Sequence, residues 1–184
     1  MPLAELPTWA TVTANVVAWG AIHAGTGYAV HRLPVARLDR DGWLWRARSV
    51  ERGGRTYERW LRIRGWKDRV PEAGALFAGG VSKRGLPPLA AGGLHRFVVE
   101  TRRAELGHWL ALALGPLAVI WNLPVSAVLM MTYGVVVNLP FIAIQRYNRL
   151  RAQRVLDLGT ARSSGSPRSP RSRPSPRRTG SSMP

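Results

Sequence analysis

Glu105 and His108 are the residues of this chain best placed to do chemistry. They stand one helical turn apart, so on a helix their side chains share a face. A histidine, with an unperturbed pKa of about 6.5, is a natural general base at neutral pH, and a carboxylate beside it can fix its tautomer and stabilise the imidazolium. A purely structural role competes, in which Glu105 pairs with Arg102 at i−3 and His108 is a polar anchor at a membrane interface. The chain has no cysteine, which removes thiol nucleophiles, disulfides and thiolate metal sites. Neither polar flank around these residues, 100–109 or 145–149, holds a serine, so direct attack by a substrate hydroxyl is preferred to a covalent intermediate. His23 and His31 stand alone, and no metal or other cofactor is expected.

The element that positions the pair is a helix starting near Leu94. At 100° per residue, Leu94, Phe97, Thr101, Glu105, His108 and Leu112 fall on one stripe, with Arg96, Glu100 and Arg103 on the other side. Glu100 is thereby explained as a solvated partner of Arg96 and Arg103. Glu105 and His108 instead lie on the apolar stripe where the helix enters lipid, a depth at which ionisable groups are costly and function is the default explanation. His95 and Glu100 repeat the spacing of the His-x4-Asp box of glycerolipid acyltransferases, but the acid differs and the two lie about 140° apart on the wheel. That match is read as chance.

From Leu106 to Gln145 the chain runs 40 residues without Asp, Glu, Lys or Arg. As helix this would rise about 60 Å, roughly twice the hydrocarbon thickness of a bilayer, so it must be two crossings or a re-entrant hairpin. An apex at Trp121-Asn122-Leu123-Pro124 divides it into spans at 107–121 and 124–144, each expected to kink, at Pro116 and Pro140. A further uncharged segment at 8–30 supplies the first span. A retained anchor is preferred there to a signal peptide, because the first seven residues hold Glu5 and no basic side chain.

The formal net charge is +17, from 27 Lys and Arg against 10 Asp and Glu. Much of it lies in the region 32–103, beside apolar segments, so the positive-inside rule and anionic lipid explain it better than nucleic acid does. The region is expected to be cytoplasmic, with the N-terminus and the apex at 121–124 on the far side. Within it, Trp45 to Arg48 alternates like a short strand, and Tyr57, Trp60, Leu61 and Arg64 have the spacing of an amphipathic helix in the headgroup layer. Residues 73–93, rich in Gly, Ala and Pro, read as a loop. The Ser/Pro/Arg tail at 159–184 cannot bury a core and is expected to be disordered. The fold class is therefore an all-α membrane protein of about three transmembrane or re-entrant helices, with one domain at 1–158 followed by that tail.

Three blocks taken together resemble a known family: Glu100-Thr-Arg-Arg-Ala-Glu-Leu-Gly-His-Trp109, Asn138-Leu-Pro140 with Gln145-Arg-Tyr-Asn-Arg149, and Glu51-Arg-Gly-Gly54 with Trp60 and Arg64-Gly-Trp-Lys-Asp68. In order and spacing they look like the glycosyl-4,4'-diaponeurosporenoate acyltransferases. The resemblance implies a multipass cell-membrane acyltransferase that esterifies the 6-hydroxyl of a sugar on a glycosylated carotenoid acid with a fatty acyl group. The donor would be acyl-CoA or acyl carrier protein. The wheel, and not the resemblance, nominates Glu105 and His108 as catalytic. Arg102, Arg146 and Arg149 could bind a donor phosphate or an oxyanion, and Tyr147 and Asn148 could hydrogen-bond the sugar. The rival reading is a non-catalytic membrane scaffold for terpenoid or lipid enzymes.

Overall fold

The computed structural model describes residues 6–70, 86–87 and 92–164, with side chains through 161. Among these residues the regular structure is helical: α1 (Thr8–His31), α2 (Val35–Leu38), α3 (Arg55–Trp60), α4 (Gly93–Leu114) and α5 (Pro124–Ser164). Short 3-10 turns cover Ser49–Gly54, Ile63–Gly65, Lys67–Arg69 and Gly115–Ile120.

α4 and α5 form an antiparallel hairpin, and α1 lies against it. The turn falls at Trp121 to Leu123, as the apex residues require: Asn122 N–H bonds the Ala118 carbonyl and its side-chain amide bonds the same oxygen. At this end Asn15 of α1 and Asn122 exchange side-chain hydrogen bonds at 3.0 and 2.8 Å, and the Trp121 indole donates to Asn15 Oδ1 at 2.8 Å. At the other end Arg103 of α4 donates to the carbonyls of Val30, His31 and Leu33. A guanidinium on the last carbonyls of α1 satisfies acceptors the helix leaves open and complements its dipole. α1 therefore runs antiparallel to α4, with its N-terminus beside the hairpin turn and its C-terminus at the basic end.

Between those ends the packing is apolar and close. The Trp19 indole, nearly buried, fits against Gly115 and Gly134, where an added Cβ would come within 3.4 and 2.5 Å of it. Small residues let helices approach in this way. Outward, Val12, Val16, Val17, Leu123, Val125, Val128, Leu129 and Val136 are exposed. An apolar surface of this extent marks a contact with membrane or protein. One described helix, over Pro124–Ala161 with a hydropathy of 2.0, is long and apolar enough to cross a bilayer.

Several expectations change. The chain forms a turn at Trp43 to Trp45 and has no regular structure from Arg46 to Arg48, where a strand was expected: Trp45 and Arg46 N–H both bond the Gly42 carbonyl, and the Leu44 and Arg46 carbonyls accept from Arg146. The alternation serves a guanidinium where a neighbouring strand was expected. The helix expected over Tyr57 to Arg64 ends at Trp60, because Arg62 adopts a left-handed φ of 45° and the Trp66 indole takes the Leu61 carbonyl at 2.8 Å. Pro116 sits in the 3-10 turn that ends α4, whereas α5 continues through Pro140. α5 also runs past the expected boundary at 158, to Ser164. The tail beyond 164 and most of the expected loop at 73–93 lie outside the described residues.

Candidate active site

The stripe assigned to α4 is buried at Leu94, Phe97, Thr101 and Glu105 and half-buried at His108 and Leu112, but only Arg96 of the other side is exposed: Glu100 and Arg103 are half-buried where α1 covers them, and Val98, Val99 and Arg102 are buried as well. Glu105 is fully buried, as is Arg149, whose Nη1 bonds Glu105 Oε2. Arg146 Nη1 reaches Glu105 Oε1 at 3.2 Å, and the Trp109 indole N–H lies 3.5 Å from the same oxygen. Both oxygens of the carboxylate are thus engaged by cations, which anchors Glu105 to α5.

Arg146 joins this pair to the basic region. Its Nε and Nη2 fork onto Glu51, the latter at 3.2 Å, while Nη1 and Nη2 also donate to the Leu44 and Arg46 carbonyls at 2.8 and 3.0 Å. Glu51 is only 5 % exposed. Burial works against its charge, but hydrogen bonds from Arg146, the Arg48 N–H and Tyr57, with the Arg146 charge, outweigh it and hold the carboxyl below the usual carboxylate range. Burial and the bond to Glu51 push the Tyr57 phenol above its ordinary range. Two glutamates and two arginines therefore form a neutral buried network, the condition under which buried charge is tolerated.

The Glu51-Arg-Gly-Gly block owes its glycines to this network. Arg52, Gly53 and Gly54 all have positive φ, 47°, 61° and 96°. A Cβ on Gly53 would meet the Arg154 guanidinium at 2.8 Å, and one on Gly54 the Tyr147 ring at 3.3 Å. The left-handed turn lays the backbone directly on α5, which carries Glu51 to Arg146.

His108 lies one turn deeper on α4. Its ring stacks on Phe141 of α5, with centroids 4.7 Å apart and planes at 11°, and Nδ1 is 3.0 Å from Asn138 Oδ1. Asn138, fully buried, donates through Nδ2 to the Gly134 carbonyl at 2.9 Å. The amide is thereby turned with its oxygen toward the imidazole. An Nδ1–H donating to that oxygen is the arrangement the amide's orientation matches. The residue at Nδ1 is Asn138, whereas the wheel had paired His108 with Glu105.

The remaining sequence-nominated residues are all buried, on α4 and α5. Arg102 is buried, donating to the Leu38 and Asp39 carbonyls at 2.8 Å each at the end of α2, and pairing with Asp41. It does not take Glu105, the pairing its i−3 position had suggested. The Tyr147 hydroxyl, on a fully buried ring, donates to Glu58 at 2.8 Å and accepts from Arg64 at 3.1 Å. Asn148 is buried. Arg149 has Nε and Nη2 buried without a hydrogen-bond partner, and its guanidinium lies 5.6 Å from the Trp45 ring. Trp45, Glu51, Tyr57 and Asn138 were not nominated. For Asn138 there was a signal, since an amide in the middle of an apolar span is costly unless it has a partner. Among the described residues no three of His, Asp and Glu gather in a way that could hold a metal ion.

The profile of the glycosyl-4,4'-diaponeurosporenoate acyltransferases matches residues 41–158, a stretch containing the whole Glu51, Glu105, Arg146 and Arg149 network with His108 and Asn138. Proteins of that name from Staphylococcus aureus strains MRSA252 and USA300 are 26 % and 25 % identical over 126 residues, covering 68 % of this chain and 75 % of theirs. No solved structure matches the chain. The chain belongs to the glycosyl-4,4'-diaponeurosporenoate acyltransferase family and is an acyltransferase.

Proposed function

We propose that this enzyme transfers a fatty acyl group from an acyl-CoA or acyl carrier protein thioester to the 6-hydroxyl of the sugar of a glycosylated carotenoid acid, at the surface of the cell membrane. The observation that supports the mechanism is the Gly134–Asn138–His108 chain of hydrogen bonds, which orients the His108 ring through Nδ1, with Nε2 proposed as the base. Nε2 takes the hydroxyl proton as the hydroxyl oxygen bonds the acyl carbon. The carbon–sulfur bond then breaks, and the proton passes to the departing thiolate. Arg149, whose Nε and Nη2 have no hydrogen-bond partner beside Glu105, is the donor proposed for a developing oxyanion. Glu105, Arg102, Arg146, Tyr147 and Asn148 hold these groups in place from behind.

In this reading α1, α4 with the 3-10 turn, and α5 make three crossings, and the basic ends of the helices lie on the cytoplasmic side. The exposed valines and leucines of α1 and the hairpin support it, as does the N-terminus lying beside the hairpin turn. A glycosylated isoprenoid would lie in the bilayer with its sugar in the headgroup layer, so the enzyme chiefly supplies proximity and a base. The test is mass spectrometry of lipid extracts from a host that makes the glycosylated carotenoid acid, with and without this gene. A glycosyl ester that appears only with the gene supports the function, and identical lipids refute it.

A further inference from the structure

We propose that the corner at 59–62 is a second membrane contact of this enzyme, outside its helical crossings, and that it takes the headgroups of anionic phospholipid. This rests on the three-crossing reading above and adds to it a lipid-recognition surface in the basic region. The outer side of the corner is bare: Trp60 is 77 % exposed and Leu61 47 %. Adjacent exposed apolar side chains of this size mark a contact surface.

The depth of the corner identifies its partner. Ile63, fully buried, forms one cluster with Ile144 and Tyr147 of α5, and Trp66, Val70 and Ala143 pack on the same cluster. Those α5 residues straddle Gln145, where the uncharged run ends, so the corner is held at the border between hydrocarbon and headgroups. Tryptophan favours that border, because its ring is apolar and its N–H polar. Arg62 turns the chain there: with a left-handed φ of 45° it leaves Trp60 and Leu61 outward and Ile63 inward. A soluble protein partner would need the corner clear of the bilayer, and its seat on Ile144 keeps it at the border.

Charge selects the headgroup. Arg59 and Arg62 flank the two apolar side chains and are exposed. The acids nearby are already engaged, since Glu58 accepts from Arg64 and from the Tyr147 hydroxyl at 2.7 and 2.8 Å, and Asp68 pairs with Lys67. The corner therefore offers two guanidinium groups beside an indole and an isobutyl group, which suits a lipid phosphate with acyl chains beneath it. α3 also carries the contact inward, because the Tyr57 hydroxyl donates to Glu51 Oε1 at 2.7 Å.

The chain has no cysteine, so single substitutions give unambiguous spin-label sites. Leu61→Cys reports the corner, Val136→Cys the middle of the α5 span and Leu158→Cys its cytoplasmic end, all at exposed positions. Each labelled full chain is placed in nanodiscs of equal parts phosphatidylcholine and phosphatidylglycerol, and relaxation of the label by oxygen and by a water-soluble nickel chelate is measured. The label at 61 should be far less open to nickel than the label at 158. If 61 is as open as 158 while 136 is shielded, the corner contact fails and the crossings stand. If 136 is as open as 158, the crossings fail and the corner contact fails with them. The headgroup is read from the preference of the same nanodisc-bound chain for spin-labelled phosphatidylglycerol over phosphatidylcholine. An arginine at an anionic surface is worth about fivefold in affinity, so Arg59→Gln with Arg62→Gln should lower that preference at least about twofold. An unchanged preference overturns the assignment of anionic lipid to the corner. Ester formation is measured separately, so acyl transfer stands or falls apart from these results.

Discussion

Arg146→Lys keeps the charge of the buried network and removes its geometry. The guanidinium makes five contacts, to both Glu51 oxygens, to Glu105 Oε1, and to the Leu44 and Arg46 carbonyls. An ammonium has three donors on one nitrogen, so at least two of these acceptors lose their partner. Hydrogen bonds involving charged groups contribute about 1.5–3 kcal/mol each, which puts the loss at roughly 3–6 kcal/mol. For a chain of this size each kcal/mol lowers the melting temperature by roughly 2–4 °C, so a fall of at least ~6 °C is expected. The assay is thermal unfolding of wild type and variant in the same nanodiscs, followed by tryptophan emission. A variant that melts within ~2 °C of the wild type would show that Arg146 behaves as an exposed ion pair, and would refute the claim that it joins the 44–51 segment to both long helices.

Three further outcomes follow from the same contacts. Because the folded pKa of Glu51 is held below its ordinary 4.5, its contribution to stability is complete above that value and is lost as pH falls through the lower, folded one. Glu51→Gln should therefore remove part of the acid limb of a stability–pH curve, and an unchanged limb would contradict the assignment. Gly54→Ala must place a Cβ 3.3 Å from the Tyr147 ring at a φ of 96°, and should lower stability by about 1–3 kcal/mol in chemical denaturation. Asn138→Leu frees the imidazole tautomer without touching a substrate group. It should lower kcat with KM little changed and shift the pH–rate profile, whereas an effect on stability alone would make Asn138 merely structural.

Much of the frame could be read from periodicity. The buried residues of the α4 stripe, the turn at Trp121 to Leu123 and the Arg103–Glu100 ion pair depend on neighbours within a few residues and stand in the structure, whereas the solvated side expected for α4 is half-covered at Glu100 and Arg103. The network around Arg146 could not be read in this way. Glu51 lies 95 residues from Arg146, and nothing local distinguishes it from the other acids of a basic region. Trp45 looked like part of a strand because alternation is the signature of a sheet, and its neighbours' carbonyls instead satisfy a guanidinium from α5. Glu105 and His108 share a face as the wheel required, yet each takes its nearest partners from the opposing helix. The wheel sorts the side chains of one helix and says nothing of what another helix brings to meet them.

The most direct test of the central claim is the turnover of purified His108→Ala against wild type on a glycosylated carotenoid acid and an acyl thioester, with ester formation measured by mass spectrometry. A positioned general base contributes roughly 10²–10⁴-fold, so kcat should fall by at least ~100-fold with the protein still folded. Ester formation within a few-fold of wild type would contradict the account, because His108 Nε2 would then not be the base.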